Sequence, residues 1–254
     1  MAGNFQEFNG NNGGEDEDAV QANAQDPSGI NNANFYTPPD GERPRMRMYI
    51  WTITSPKRDC DFENAIIAHE YGHGISNRLT GGPANSDCLS WGESGGLGEG
   101  WSDFFGVWLQ MQKNDTNTKT MTIGSYVNKK GIRRFPYSTN SSVNPTTYGY
   151  LNRPDWERVH AIGEVWGNIL YQYYWNLVGK LGFSEDLVVD GLKLQPCRPT
   201  FVSARDAILQ AEEQATDGSH RCEIWRAFSK RGVGPSAKSN DSAVVEDFSL
   251  PTGC

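Results

Sequence analysis

Two histidines four residues apart, His69 and His73, are the side chains in this sequence best suited to hold a metal ion. Residues at i and i+4 lie on one face of an α-helix, so both imidazoles can bind one zinc ion from the same side. Glu70 lies between them and can take a proton from the water that such a metal activates. Because the chain has only four histidines, the pattern H-E-x-x-H favours this chemistry over the alternative, two structural histidines in a core.

A catalytic zinc ion commonly has three protein ligands, so one more is needed. The extended pattern with a third histidine is excluded, because Ser76 and Leu79 stand where it requires Gly and His. Glu99 is better placed, since small and aromatic neighbours argue against a solvated surface charge. Asp103 follows four residues later on the same helix face, where it could accept the free ring N–H of a ligating histidine.

His160 is a candidate for a different task, donation of a hydrogen bond to the negative charge that develops on a substrate oxygen. Asp155 lies five residues before it, and Glu164 follows one helical turn after it. A carboxylate partner would keep the imidazole protonated at neutral pH, and we assign that role to Asp155. The alternative is a histidine that only begins a helix.

The elements that position these residues are predicted as a β-rich segment followed by helices. Short strands are expected over 31–36 and 46–51, joined by turn residues at 37–41. The predicted helices cover about 63–79, 97–112, 160–181, 203–215 and 221–230. This order predicts an α+β fold.

Two local patterns fix details of these helices. Apolar residues recur every fourth position from Ile67 to Leu79 and predict the buried face of the first helix. Ser203 and Asp206 have the spacing of a capping box and predict the start of the fourth helix at Ser203.

Composition excludes two classes of protein. With 23 Lys and Arg against 31 Asp and Glu, the chain carries a formal charge of −8, and such a surface repels nucleic acid phosphates. No run approaches the 18 apolar residues that a membrane span needs.

The cysteines and glycosylation sequons indicate a secreted protein, although the sequence shows no secretory signal. Five cysteines leave at least one thiol unpaired within the chain. Cys60 and Cys88 flank the first predicted helix, and we predict a disulfide between them. The acidic run at 15–18 could hold calcium, but no further ligand pattern supports such a site. Asn-x-Ser/Thr sequons occur at Asn114, Asn140 and Asn240.

The motifs together resemble the fungalysin family of secreted zinc metalloendopeptidases, relatives of the thermolysin-like enzymes. The similarity follows the family's order along most of the chain, and is therefore more specific than H-E-x-x-H alone. The matching segments are residues 31–35, 46–49, 69–83, 93–104, 132–139, 159–166 and 194–197.

The resemblance implies a zinc-dependent endopeptidase that hydrolyses internal peptide bonds of proteins. It implies His69, His73 and Glu99 as zinc ligands, with one zinc ion per chain. Glu70 would act as general base and then as general acid, and Asp103 would orient a ligand.

A looser similarity to thermolysin-like enzymes implies roles for five more residues. His160 with Asp155 would stabilise the oxyanion, and Arg133 would bind a substrate carbonyl. Asn32 and Ala33 would lie on the strand that pairs with the peptide backbone of the substrate.

The resemblance also implies a zincin-like architecture with the active site in a cleft between two lobes. Residues 1–62 would be the truncated, β-rich end of the amino-terminal lobe, and residues 63–254 the helical lobe that carries the zinc ligands. Family members are made with a signal peptide and an inhibitory propeptide, which this sequence lacks, so we expect a shortened, secreted and monomeric chain. The alternative is a zinc-binding but inactive fragment or pseudo-enzyme that acts by binding proteins.

Overall fold

A small mixed sheet lies against the first helix and brings one strand edge toward the predicted zinc ligands. In the computed structural model, which describes residues 3–10, 13–178, 186–240 and 243–254, strands β1 (Gln21–Asn23), β2 (Ala33–Tyr36) and β3 (Arg45–Met48) form this sheet in the order β1-β3-β2. β2 and β3 are antiparallel, with Ala33 opposite Met48 and Tyr36 opposite Arg45. The predicted turn-linked strand pair is confirmed, and β2 forms one edge of the sheet.

Two smaller strand pairs complete the β structure of the described residues. β4 (Ile50–Trp51) pairs with β5 (Arg58–Asp59), and β6 (Lys238–Asn240) pairs with β7 (Ala243–Val245), both antiparallel. The predicted strand over 46–51 is therefore divided between two sheets, with Tyr49 at the break.

The described part of the chain contains six α-helices, and the α+β class is confirmed. They are α1 (Asn64–Leu79), α2 (Gly92–Trp108), α3 (Val159–Val178), α4 (Asp186–Leu194), α5 (Phe201–Thr216) and α6 (Arg221–Lys230). The sequence prediction omitted α4 and began α2 about five residues late. Among the described residues, no helix has the length and apolar character that crossing a membrane requires.

Glycines allow α1, α2 and α3 to pack with their backbones almost in contact. A Cβ built on Gly72 of α1 would lie 3.0 Å from the Cα of Ser102, and one on Gly96 of α2 would lie 2.1 Å from an Ile162 side-chain atom. A Cβ on Gly163 of α3 would lie 2.4 Å from the Cβ of Glu99. These glycines lower helix propensity and so hid the start of α2, yet they set the distance between the helices that carry the site.

The more buried side of α1 combines small and apolar residues with polar ones, which corrects the predicted apolar face. Tyr71 is 40% exposed, and Ile67, Ile75 and Leu79 are only partly buried. The most buried positions of the helix include His69, which is 6% exposed. This side of the helix faces α2, where Gly72 allows the backbones to approach closely.

The fourth predicted helix has a different cap from the one that we expected. α5 begins at Phe201, and the Thr200 side chain accepts a hydrogen bond from the Ser203 backbone N–H. Ser203 is thus the inner partner of the capping box. Asp206 forms an ion pair with Arg205 at 2.7 Å instead of capping the helix.

The predicted Cys60–Cys88 disulfide is wrong. Cys88 pairs with Cys197, and Cys222 pairs with Cys254. Cys60 is a free, fully buried thiol before the amino end of α1, whereas Cys88 follows its carboxyl end. A helix of 16 residues is about 24 Å long, so flanking the helix in sequence separates the two sulfurs in space.

A buried arginine near the carboxyl end of α1 joins this helix to the amino-terminal segment. The Arg78 guanidinium donates to the carboxylates of Asp18 and Asp40, both at 2.9 Å, and to three backbone carbonyls. These five bonds use all five N–H donors of the side chain. Asp18, part of the acidic run in which calcium was considered, is fully buried in this cluster.

Candidate metal centre

An open cleft of about 550 Å³ lies between the β2 strand and the helices α1 and α2. The whole of β2 lines it, and this strand bonds to β3 on its other side. The cleft therefore combines a free strand edge with the H-E-x-x-H helix. All predicted zinc ligands, together with Glu70, Arg133 and His160, line the cleft.

His69, His73 and Glu99 converge at the floor of this cleft, each offering a ligand atom within 4.8 Å of the other two. The Nε2 atoms of the two histidines are 3.1 Å apart, close to the separation of about 3.3 Å between two nitrogens bound to a tetrahedral zinc ion. The Glu99 carboxylate lies 3.4 Å from His69 Nε2 and 3.7 Å from His73 Nε2.

The donor set fits a zinc ion, both in its chemistry and in what it leaves unsatisfied. Two imidazoles and one carboxylate are a common set for catalytic zinc. Glu99 Oε2 is buried and accepts no hydrogen bond from the described residues, which is costly unless a cation binds there. Burial opposes ionisation of Glu99, but the imidazoles of His73 and His69 hold the pKa of its carboxyl well below the usual range.

The Asp103 carboxylate contacts three side chains of the cleft, those of His69, Arg133 and Tyr137. Its Oδ1 lies 2.7 Å from His69 Nδ1, and it accepts two hydrogen bonds from Arg133, at 2.6 and 2.7 Å, and one from the Tyr137 hydroxyl. Although burial alone lowers the pKa of His69, the carboxylates of Asp103 and Glu99 raise it to about 10. The carboxylate thus orients the ring so that Nε2 points to the other ligands.

Tyr137 is a residue of this site that the sequence prediction missed. Its side chain is 1% exposed, and its hydroxyl donates to the carboxylate behind His69. The only signal was its place in the segment 132–139, which matches the resembled family without indicating a contact.

Glu70 is buried beside the three converging side chains and lines the same cleft. Burial raises the pKa of its carboxyl to about 7, while the neighbouring His69 opposes that shift. A carboxylate whose pKa lies near neutrality can both accept and return a proton during one reaction.

His160 lies at the cleft, but the structure does not bring Asp155 to it. Its Nε2 is 3.4 Å from Glu99 Oε2, and its side chain is 59% exposed. Asp155 is exposed in a short 3-10 turn (Pro154–Trp156), and its backbone carbonyl accepts a bond from Arg134. The walls of the cleft shield part of the His160 ring from water and so lower its pKa, which does not favour a charged His160–Asp155 pair.

Three predicted substrate-binding residues also line the cleft. Ala33 is the first residue of β2 and is buried, and Asn32 directly precedes the strand and is exposed. The Arg133 side chain is 7% exposed. Two of its nitrogens bond Asp103, and Nη1 makes no hydrogen bond to the described residues.

Residues 1–237 match the family model of the fungalysin metallopeptidases (M36). An extracellular metalloproteinase of Pyrenophora tritici-repentis is 48% identical over 274 residues, and the extracellular metalloproteinase mep of Aspergillus flavus is 50% identical over 272 residues. Each alignment covers 99% of this chain and 42% of the relative. Extracellular metalloproteinase 5 of Arthroderma benhamiae is 48% identical over the whole chain and 43% of its own length. The chain therefore spans less than half the length of these relatives.

Proposed function

The chain belongs to the fungalysin (M36) metallopeptidase family, and from this premise we propose that it acts as a zinc-dependent endopeptidase on internal peptide bonds of proteins. One observation carries the proposal: His69, His73 and Glu99 converge beside the buried carboxylate of Glu70, in a cleft bordered by a free strand edge. Zinc, when bound by these three ligands, would polarise the peptide carbonyl and acidify water.

Glu70 is proposed as the group that moves the proton. It takes a proton from the attacking water and returns it to the nitrogen of the leaving amine. Its burial and raised pKa support both halves of this transfer. No covalent intermediate with a Ser or Cys side chain is needed.

His160 and Arg133 are proposed to bind the substrate carbonyls. His160 donates to the oxyanion from a largely exposed position, so that a substrate would cover it on binding. Arg133 is held by Asp103 through two nitrogens, which leaves Nη1 for a carbonyl oxygen. Asp155 as the partner of His160 stays a prediction, since the ion pair found for His160 among the described residues is with Glu99.

The free edge of β2 is proposed to bind the peptide backbone. A peptide that adds to a sheet edge gains backbone hydrogen bonds whatever its side chains are, which suits an enzyme that cleaves many proteins. Asn32 and Ala33 would present their backbone groups to the residues at the scissile bond.

Secretion is proposed from two independent observations. The relatives are named extracellular metalloproteinases, and two disulfides suit an oxidising compartment. We further propose a monomer whose precursor carries an inhibitory propeptide.

The test compares the purified, zinc-loaded chain with Glu70→Gln on casein and on an internally quenched peptide. We expect Glu70→Gln to keep one zinc ion per chain, measured by atomic emission, and to lose about 10²–10⁴-fold in kcat. Glu213→Gln, an exposed change on α5, is the control and should behave like the parent. His160→Phe should also keep zinc and lower kcat more than it changes KM.

Two results would overturn the proposal. A parent chain that binds zinc but hydrolyses neither substrate would favour the inactive, protein-binding alternative. A Glu70→Gln variant within tenfold of the parent would remove Glu70 from the proton transfer.

A further inference from the structure

The outer face of the amino-terminal sheet carries a row of arginines. Side chains alternate between the two faces of a strand, so Arg45 and Arg47 of β3 lie on one face, and Arg43, just before the strand, extends the row. The register places Tyr36 of β2 opposite Arg45 and Asn34 opposite Arg47, on that same face. Positive charge is thus concentrated beside the edge strand of a chain with a formal charge of −8.

A second cavity lies over this face and adjoins the metal cleft. It measures about 340 Å³ and is lined by Tyr36, Arg43, Arg45 and Arg47. Tyr36 is 59% exposed and also lines the metal cleft. The two cavities therefore share one wall, and a chain lying along β2 passes the mouth of both.

The three arginines differ in whether their charge is already neutralised. Arg43 forms an ion pair with Glu7 at 2.6 Å, and Arg47 approaches Asp26 at 3.9 Å. The exposed side chain of Arg45 forms no ion pair or hydrogen bond with the described residues. Arg45 is thus the member of the row with charge to offer an incoming anion.

We propose that Arg45 and Tyr36 form a subsite for an acidic side chain of the peptide substrate, glutamate above aspartate. The inference rests on the proposed function, because it requires a peptide added along β2. Such a peptide would place every second side chain on the outer face, one of them beside Tyr36.

Distance explains the preference for the longer acid. Adjacent strands are about 4.8 Å apart, so an added peptide lies about 10 Å from the β3 backbone. An Arg and a Glu side chain together bridge this gap across the tyrosine ring, whereas Asp is one methylene shorter. The ion pair would be partly exposed and should contribute modestly to affinity.

The experiment uses quenched peptides that carry Glu, Gln, Asp or Lys at one of six positions around the cleavage site. At one position the parent should show a Glu to Gln ratio of kcat/KM of about 3–5, the size that an exposed ion pair provides. The ratio should fall toward one in 1 M salt, which screens such a pair. Arg45→Gln should abolish the ratio, and Arg45→Glu should shift the preference to Lys.

Two controls keep failures distinguishable. Arg221→Gln removes an arginine that is 53% exposed on α6 and should keep the parent's ratio. Fluorescence anisotropy measures binding of the same peptides to the zinc-loaded Glu70→Gln variant, and so tests the subsite without hydrolysis.

The outcomes separate the two proposals. Equal binding and cleavage of Glu and Gln peptides at every position, or a ratio unchanged in Arg45→Gln, would overturn the subsite and leave the endopeptidase intact. Cleavage of no peptide would overturn the endopeptidase, and the binding measurement would still decide on Arg45.

Discussion

Helix α1 carries two buried charged clusters that differ in how completely they are satisfied. Around Arg78, each of the five guanidinium N–H groups meets an acceptor, two of them carboxylates. In the cluster around His69, the Nε2 atoms of His69 and His73 lie 3.1 Å apart. Glu99 Oε2 has no hydrogen-bond partner among the described residues.

This difference in hydrogen bonding assigns the Arg78 cluster to the stability of the fold and the His69 cluster to metal binding, although both lie on the same helix. Removing one partner from a buried charge cluster whose bonds are all made destabilises the fold, because the remaining charges are left uncompensated. A buried cluster with open ligand atoms retains a cost that an incoming cation relieves. The Arg78 cluster should therefore be sensitive to mutation in its stability, and the His69 cluster in its affinity for zinc.

The largest expected effect comes from breaking the satisfied cluster. Arg78→Leu leaves the buried carboxylate of Asp18 and the partly buried carboxylate of Asp40 without their arginine partner, so we expect a loss of about 3–5 kcal/mol in the free energy of unfolding. Urea unfolding with the disulfides intact measures it. Arg221→Leu, at an exposed position, should change it by no more than about 0.5 kcal/mol. If Arg78→Leu folded with the stability of the parent but no longer bound zinc, the roles assigned to the two clusters would be reversed.

The next effect comes from the unsatisfied cluster. Glu99→Gln replaces an anionic ligand with a neutral amide, and should weaken zinc binding by more than the roughly 10–100-fold cost of losing an outer partner. The metal-free protein should change by no more than about 1 kcal/mol in stability. Competition with a chromophoric chelator measures the affinity. Undiminished zinc content would exclude Glu99 as a ligand.

A smaller effect on zinc affinity is expected from Asp103, which contacts a predicted ligand and is not itself one. Asp103→Asn removes the charge that orients His69 and holds Arg133, so zinc affinity should fall by about 10–100-fold. Asp115→Asn, which alters a surface pair with Lys119, is the matched control. Equal zinc affinity in the two variants would show that Asp103 serves only the fold.

The smallest expected effect is on the reactivity of Cys60. This buried thiol lies near the amino end of the same helix, and it is neither charged nor a predicted ligand. Burial raises the pKa of its thiol to about 12, so iodoacetamide at pH 8 should leave the native protein unmodified. In denaturant the same reagent should label one thiol per chain, as counted by mass spectrometry. Rapid labelling of the native chain would contradict the burial of Cys60.

The sequence predicted the centre of this site because its spacings are local. His69 and His73 share a helix face, and so do Glu99 and Asp103, so one correct helix places each pair. The pairing of Asp155 with His160 stays a prediction: Asp155 lies in a 3-10 turn and His160 in the first turn of α3, so their spacing in sequence does not fix how the two side chains are placed. Tyr137 could not be found, since its contact with Asp103 spans 34 residues and depends on how a loop folds back.

The fold was predictable to a similar depth. Strands β2 and β3 and helices α1, α2, α3, α5 and α6 were expected, and their ends shifted by a few residues. The end of the third predicted helix, at residues 179–181, lies outside the described residues. The disulfide pairing depends on which segments lie close together in the folded chain. Cys60 and Cys88 flank the same helix in sequence, and this position suggested the wrong pair. The division of the chain at residue 62 stays a prediction.

The glycine contacts among α1, α2 and α3 have a consequence for motion. Where a glycine faces the backbone of the next helix, as at Gly163 against Gly100 and at Gly72 against Ser102, no rotamer change can open a gap between helices. The amide protons of these turns should exchange with solvent only when the whole block unfolds. The predicted zinc ligands would then keep their spacing on every timescale shorter than unfolding, and substrate entry would depend on the strand side of the cleft.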